Sequence, residues 1–225
     1  MKAKIIEILE ELRLVLAGRS LIVDTILPPI VFILVNGLFG FRNAMWSALG
    51  LALVIAVLRL LRGQSALYAL GGVAGTLLAI LISILLGRSE GFFLPGIFTN
   101  GLTVILCLLS VLLKRPLVAW TSYLTRRWPL GWYWHPQVRP AYSEVTLAWA
   151  LFFALRFVLQ LNLFQNQQEG LLALVNFLVG WPAILVLLIA SYLYGIWRLG
   201  LLKGPSVEEY KAHKSPPWEG QHRGF

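Results

Sequence analysis

Six apolar runs decide what this chain can fold into. They cover residues 20–41, 44–61, 66–86, 94–113, 142–164 and 170–197, and each is near or above the ~20 residues that a helix needs to cross ~30 Å of hydrocarbon. A soluble domain could not cover so much apolar side chain, because 58% of the 225 residues are apolar and 13% are charged. In lipid every backbone polar group must be satisfied within its own segment, which makes each run a helix. The expected fold is all-α: a polytopic membrane bundle of about six transmembrane helices.

The cations fix its orientation. If both termini are cytoplasmic, the inside segments hold Lys2, Lys4, Arg13, Arg19, Arg59, Arg62, Lys114, Arg115, Arg126, Arg127, Arg139, Arg198, Lys203, Lys211, Lys214 and Arg223. The outside loops hold Arg42 and Arg88, and Arg156 lies within a span. Sixteen against two selects N-in and C-in, in a cytoplasmic membrane. The net charge of +9 then needs no nucleic-acid partner, since anionic headgroups favour the same distribution.

Three segments follow. Residues 1–19 read as an amphipathic interfacial helix, with Ile5, Ile8, Leu9, Leu12 and Leu16 on one face and Glu7, Glu10 and Glu11 toward water. Residues 20–198 form the transmembrane domain, including an interfacial loop at 115–140, and residues 199–225 form a polar cytoplasmic tail expected to be partly disordered. The loop carries Trp120, Trp128, Trp132 and Trp134 among Arg126 and Arg127, a composition suited to headgroup contacts. In the third span Gly71, Gly75, Ala79 and Ser83 recur every four residues and are expected to pack closely against another helix. Pro182, after Gly180 and Trp181, is expected to kink the sixth span.

Polar groups within the spans are the candidates for function, because charge in hydrocarbon is expensive. Arg156 lies well inside the fifth span with Gln160 one turn beyond on the same face, which suits an anion. A structural ion pair with Glu90 is the alternative. Arg88, Glu90 and Asn100 are expected at similar depth near the outer surface. Asp24, before Pro28 and Pro29, is either a coupling carboxylate for H⁺ or Na⁺ or the partner of Arg19 or Arg139. Glu144 near the start of the fifth span reads as a dipole-complementing helix start.

Enzyme chemistry has little to stand on. His135, His213 and His222 show no metal spacing, Cys107 is alone, and neither a phosphate loop nor a nucleophile elbow occurs, so no metal, cofactor or catalytic residue is expected.

The strings Arg88-x-Glu90-x-Phe92-Phe93-Leu94-Pro95-Gly96-Ile97-x-x-Asn100, Lys114 to Val118, Ala141-Tyr142, Thr146-Leu147-x-Trp149, Arg156 and Gly180-Trp181-Pro182 resemble the DUF3159 family of bacterial integral membrane proteins. The resemblance implies a bacterial inner membrane and the helical architecture, and it supplies no reaction. The leading expectation is a membrane protein that binds or transports a small anionic or amphipathic molecule. A scaffold subunit with homo-oligomeric or membrane-complex partners is the alternative, and an intramembrane enzyme comes third. Membrane lipids are the other expected partner.

Overall fold

The computed structural model describes residues 31, 32, 34–221 and 225. The amphipathic helix expected over 1–19, Asp24 and most of the first span lie outside them. Among the described residues all regular structure is helical. In order come α1 (Phe41–Leu61), α2 (Ala66–Leu86), a 3₁₀ turn (Ser89–Phe93), α3 (Leu94–Leu112), α4 (Leu117–Arg126), α5 (Leu130–Tyr133), α6 (Arg139–Gln165), α7 (Glu169–Leu178), α8 (Trp181–Leu202) and α9 (Val207–Lys211). Five stretches among the described residues are long and apolar enough to cross a membrane.

The chain divides into two compact units, residues 1–97 with 160–182 and residues 98–159 with 183–225. In the first, residues 31–39 end at Gly40 and Phe41 opens α1. The buried face of α1 is an alanine stripe, Ala44, Ala48, Ala52 and Ala56, which lets helix backbones approach closely.

Within α2 the buried set is Ala69, Thr76, Ala79 and Ser83. That seven-residue recurrence keeps one face turned to a partner. Gly71 and Gly75 fall off it. They are exposed, with no described atom within 4 Å of where a Cβ would stand, while Ala79 and Ser83 are buried.

Gly87 ends α2 in the left-handed conformation, and the 3₁₀ turn then folds back on the helix it follows. A Cβ on Gly91 would lie 2.8 Å from Ser83 Cα, so this return depends on glycine. Phe32 stacks on Phe92 at 4.2 Å and meets Phe93 edge-on at 6.4 Å, closing an aromatic core over the turn.

The second unit is organised by the tryptophan loop. Ser110 Oγ accepts the Leu117 N–H at 2.9 Å across the Arg115-Pro116 turn, and Thr146 Oγ accepts that of Val118 at 3.3 Å. Trp132, Tyr133 and Tyr142 are fully buried with Ala119, Val138, Ala141, Leu199 and Val207. Headgroup contact by Trp132 is thereby overturned. Its indole N–H donates to the Pro205 carbonyl at 2.8 Å, which satisfies the polar edge of an otherwise apolar ring.

The described part of the tail folds where disorder is expected from its polarity. Ser206 and Glu209 form a reciprocal capping box on α9. The Glu209 carboxylate also accepts the N–H groups of Glu219 at 2.9 Å and Gly220 at 3.3 Å, while Gln221 Oε1 accepts that of Val207. Phe225 stacks on Tyr142 at 4.4 Å, and its carbonyl accepts from Arg126 Nε. Buried backbone donors thus find side-chain partners within the tail itself.

Those donors, the Glu219 N–H first, hold the Glu209 carboxyl down at about 2 from an ordinary 4.5. A depressed carboxyl stabilises the docked tail fully above its unfolded value. That contribution is expected to decline below pH 4.5 and to vanish by about pH 2. Proteolysis of the tail with an acid-active protease should rise across that window, and Glu209→Gln should remove the pH dependence. A flat profile in the parent protein contradicts the capping role.

The sixth apolar run is two helices rather than one kinked helix. After Leu178 the chain turns at Val179 and Gly180, where a Cβ would stand 2.3 Å from the Asn176 carbonyl oxygen. Pro182 is the second residue of α8, where its missing N–H costs nothing, so it opens a helix instead of bending one.

Candidate functional site

The sites expected from sequence fall in both units. Arg88 is exposed and precedes the 3₁₀ turn in extended conformation, which places it at the edge of the first unit. Glu90 follows within the turn and is buried, and both α2 and α7 pack on the turn. Burial of a carboxylate at 7% exposure is costly, and the chain tolerates it beside the apolar Phe92 and Phe93.

Gln160, on the part of α6 that belongs to the same unit, is 1% exposed. Its amide donates to Asn176 Oδ1 at 2.8 Å, and Asn176 Nδ2 donates in turn to the Leu172 carbonyl at 3.0 Å. Asn176 sits one turn before the helix break, so an interhelical amide chain adjoins the point where backbone regularity is lost. Interrupted helices flanked by polar side chains are a recurrent means of building sites at membrane depth.

Glu169 was not singled out by sequence, because it closes a polar loop and looks solvated. In the structure its carboxylate accepts from Asn36 Nδ2 at 2.7 Å and from Ser89 Oγ, tying residues 31–39 and the 3₁₀ turn to the first residue of α7. A carboxylate at the start of a helix also complements the dipole. That position, after the polar run at 165–168, was the available signal.

In the second unit Asn100 is buried on α3 and Arg156 is partly buried on α6. Arg156 and Gln160 are four residues apart on one continuous helix and share a face. Trp149, two turns earlier, donates its indole N–H to Ser191 Oγ at 2.9 Å. Glu144 does not act through the helix start. It lies beyond the first turn of α6 and takes a two-pronged hydrogen bond from Arg198, both contacts 2.7 Å, with Tyr194 Oη donating to the same carboxylate.

In the loop, His135 meets Trp218 edge-on at 5.4 Å, and burial pushes its imidazole below the ordinary value. Its Nδ1 accepts the Gln137 N–H at 3.3 Å, a structural contact. Among the described residues no three His, Cys, Asp or Glu side chains gather as a metal site.

Long apolar helices, helical structure throughout the described residues and polar side chains distributed sparsely along the spans define an integral membrane protein of the helical class. The chain belongs to the DUF3159 family, described as protein of unknown function, whose model matches residues 16–196. No match was found among curated proteins or among solved structures.

Proposed function

We propose that this protein binds a small anionic or amphipathic molecule within a cytoplasmic membrane, with both termini on the cytoplasmic side. The single supporting observation is the face of α6 that carries Arg156 and Gln160 through a spanning helix whose residues 147–161 are otherwise apolar. A guanidinium is permanently charged and presents a planar fork suited to carboxylate or phosphate. An apolar side chain at Arg156 would be cheaper in lipid. Asn100, in the same unit as Arg156, is a further ligand contact in this reading.

Thermal unfolding of the detergent-purified protein against a panel of carboxylates, phosphates and lysophospholipids tests this. A bound anion at a hundredfold excess over its Kd should stabilise by about 2.7 kcal/mol. Arg156→Leu should abolish the shift and Arg156→Lys should retain part of it. No shift with any anion, or equal shifts in Arg156→Leu, overturns the proposal.

A second reading, an assembly subunit, draws on the exposed Gly71, Gly72 and Gly75 of α2, a face smooth enough for another helix. Cysteine at Gly75 should then crosslink to a second chain in native membranes. Its absence from every crosslinked species removes this reading.

A further inference from the structure

Four helix ends in the second unit have a left-handed, non-glycine residue, His213 after α9 at φ 50° and three cations. Lys114 follows α3, Arg127 caps α4 and Lys203 follows α8, with φ of 57°, 56° and 49°. A side chain crowds the backbone in the left-handed region, and helix ends usually give that position to glycine. This chain does so at Gly63 after α1 and Gly87 after α2, with φ of 72° and 65°, and places Gln167 after α6 at 55° and His213 after α9 at 50°. Complementing the helix dipole does not require the strain, since α1 keeps Arg59 within its last turn.

The three cations follow exposed leucines. Leu112 and Leu113 are 75% and 73% exposed and are followed at once by exposed Lys114 and Arg115. Leu124, also largely exposed, precedes Arg127, and exposed Leu201 precedes Lys203. Each end passes from bare leucine to bare cation within a turn, the profile of a hydrocarbon–headgroup boundary.

Aromatic and backbone contacts of the loop lie beside these ends. The Arg115 guanidinium lies 5.4 Å over the Trp134 ring, Trp134 lies 5.7 Å from Trp120, and Gly204 packs on Gln137. Two acids of this unit are engaged, Glu144 by Arg198 and Glu209 by backbone N–H groups.

We propose that Lys114, Arg115, Arg127 and Lys203 form a surface for anionic phospholipid headgroups, with Trp120 and Trp134 between them at the acyl boundary. This shifts lipid contact away from Trp132, which is buried, and Arg126, which is engaged by Phe225 and stacked on Trp128 at 5.0 Å. It is independent of the anion reading at Arg156.

The test uses the full chain in nanodiscs that contain a low, equal mole fraction of either brominated-chain phosphatidylglycerol or brominated-chain phosphatidylcholine. Tryptophan quenching should be about twofold stronger with the anionic lipid, and the excess should disappear near 1 M salt, where the Debye length is ~3 Å. Removing any one of these cations should reduce the excess measurably. Lys114→Gly, Arg127→Gly and Lys203→Gly combined should erase it, and glycine suits the backbone at all three positions. Equal quenching by the two lipids in the parent protein, or an excess that survives high salt or the triple substitution, overturns the proposal.

Discussion

Trp132→Ala is expected to cost about 3–5 kcal/mol, the range for removing a fully buried large aromatic. The indole has no exposed surface, meets Trp128, Tyr133 and Tyr142 edge-on at 5.3, 5.1 and 6.1 Å, and spends its N–H on the Pro205 carbonyl. Its loss opens a cavity and leaves a buried carbonyl without its donor. Trp132→Phe keeps most of the ring and should cost only the hydrogen bond and part of the volume, about 1–3 kcal/mol. Unfolding in detergent, followed by tryptophan fluorescence, separates the two. A cost below ~1 kcal/mol for the alanine variant would return Trp132 to the lipid interface.

Arg156→Leu carries the opposite sign. On insertion scales Arg at a helix centre costs about 2.5–3.5 kcal/mol and Leu gains a few tenths, so the variant should insert and accumulate at least as well as the parent protein. If Arg156 instead holds a structural ion pair, its removal leaves an uncompensated buried charge at about 3–5 kcal/mol. Membrane abundance and thermal midpoint decide between these. Accumulation with loss of anion response supports a binding role, and failure to accumulate supports a structural one.

The spans were legible because hydrophobic length is a strong constraint in lipid. The runs at 66–86 and 94–113 coincide within one residue with α2 and α3, and Pro95 stands in the first turn of α3 as its missing N–H allows. What escaped is long-range or dependent on backbone conformation. Glu144 and Arg198 are 54 residues apart, and nothing local pairs them. Trp132 and Trp134 are two residues apart with identical side chains, yet only the first is fully buried.

The tail held a readable signal, since Ser206-x-x-Glu209 is a capping box, but its polarity suggested disorder. The helix break at Gly180 was half visible. Glycine and proline marked the place, while the choice between a kink and a restart depends on where the Pro182 ring falls relative to a helix start. Of the candidate site, the Arg156 and Gln160 face follows from spacing alone, whereas the Gln160 to Asn176 link and the Glu169 junction required the folded chain.

Native mass spectrometry of the protein extracted in mild detergent, compared with Arg156→Leu, is the most direct measurement. An anionic or amphipathic adduct of defined mass on the parent protein, lost in the variant while bulk lipid adducts persist, is the expected result. The same adducts on both proteins, or none on either, would contradict a binding role for the Arg156 face.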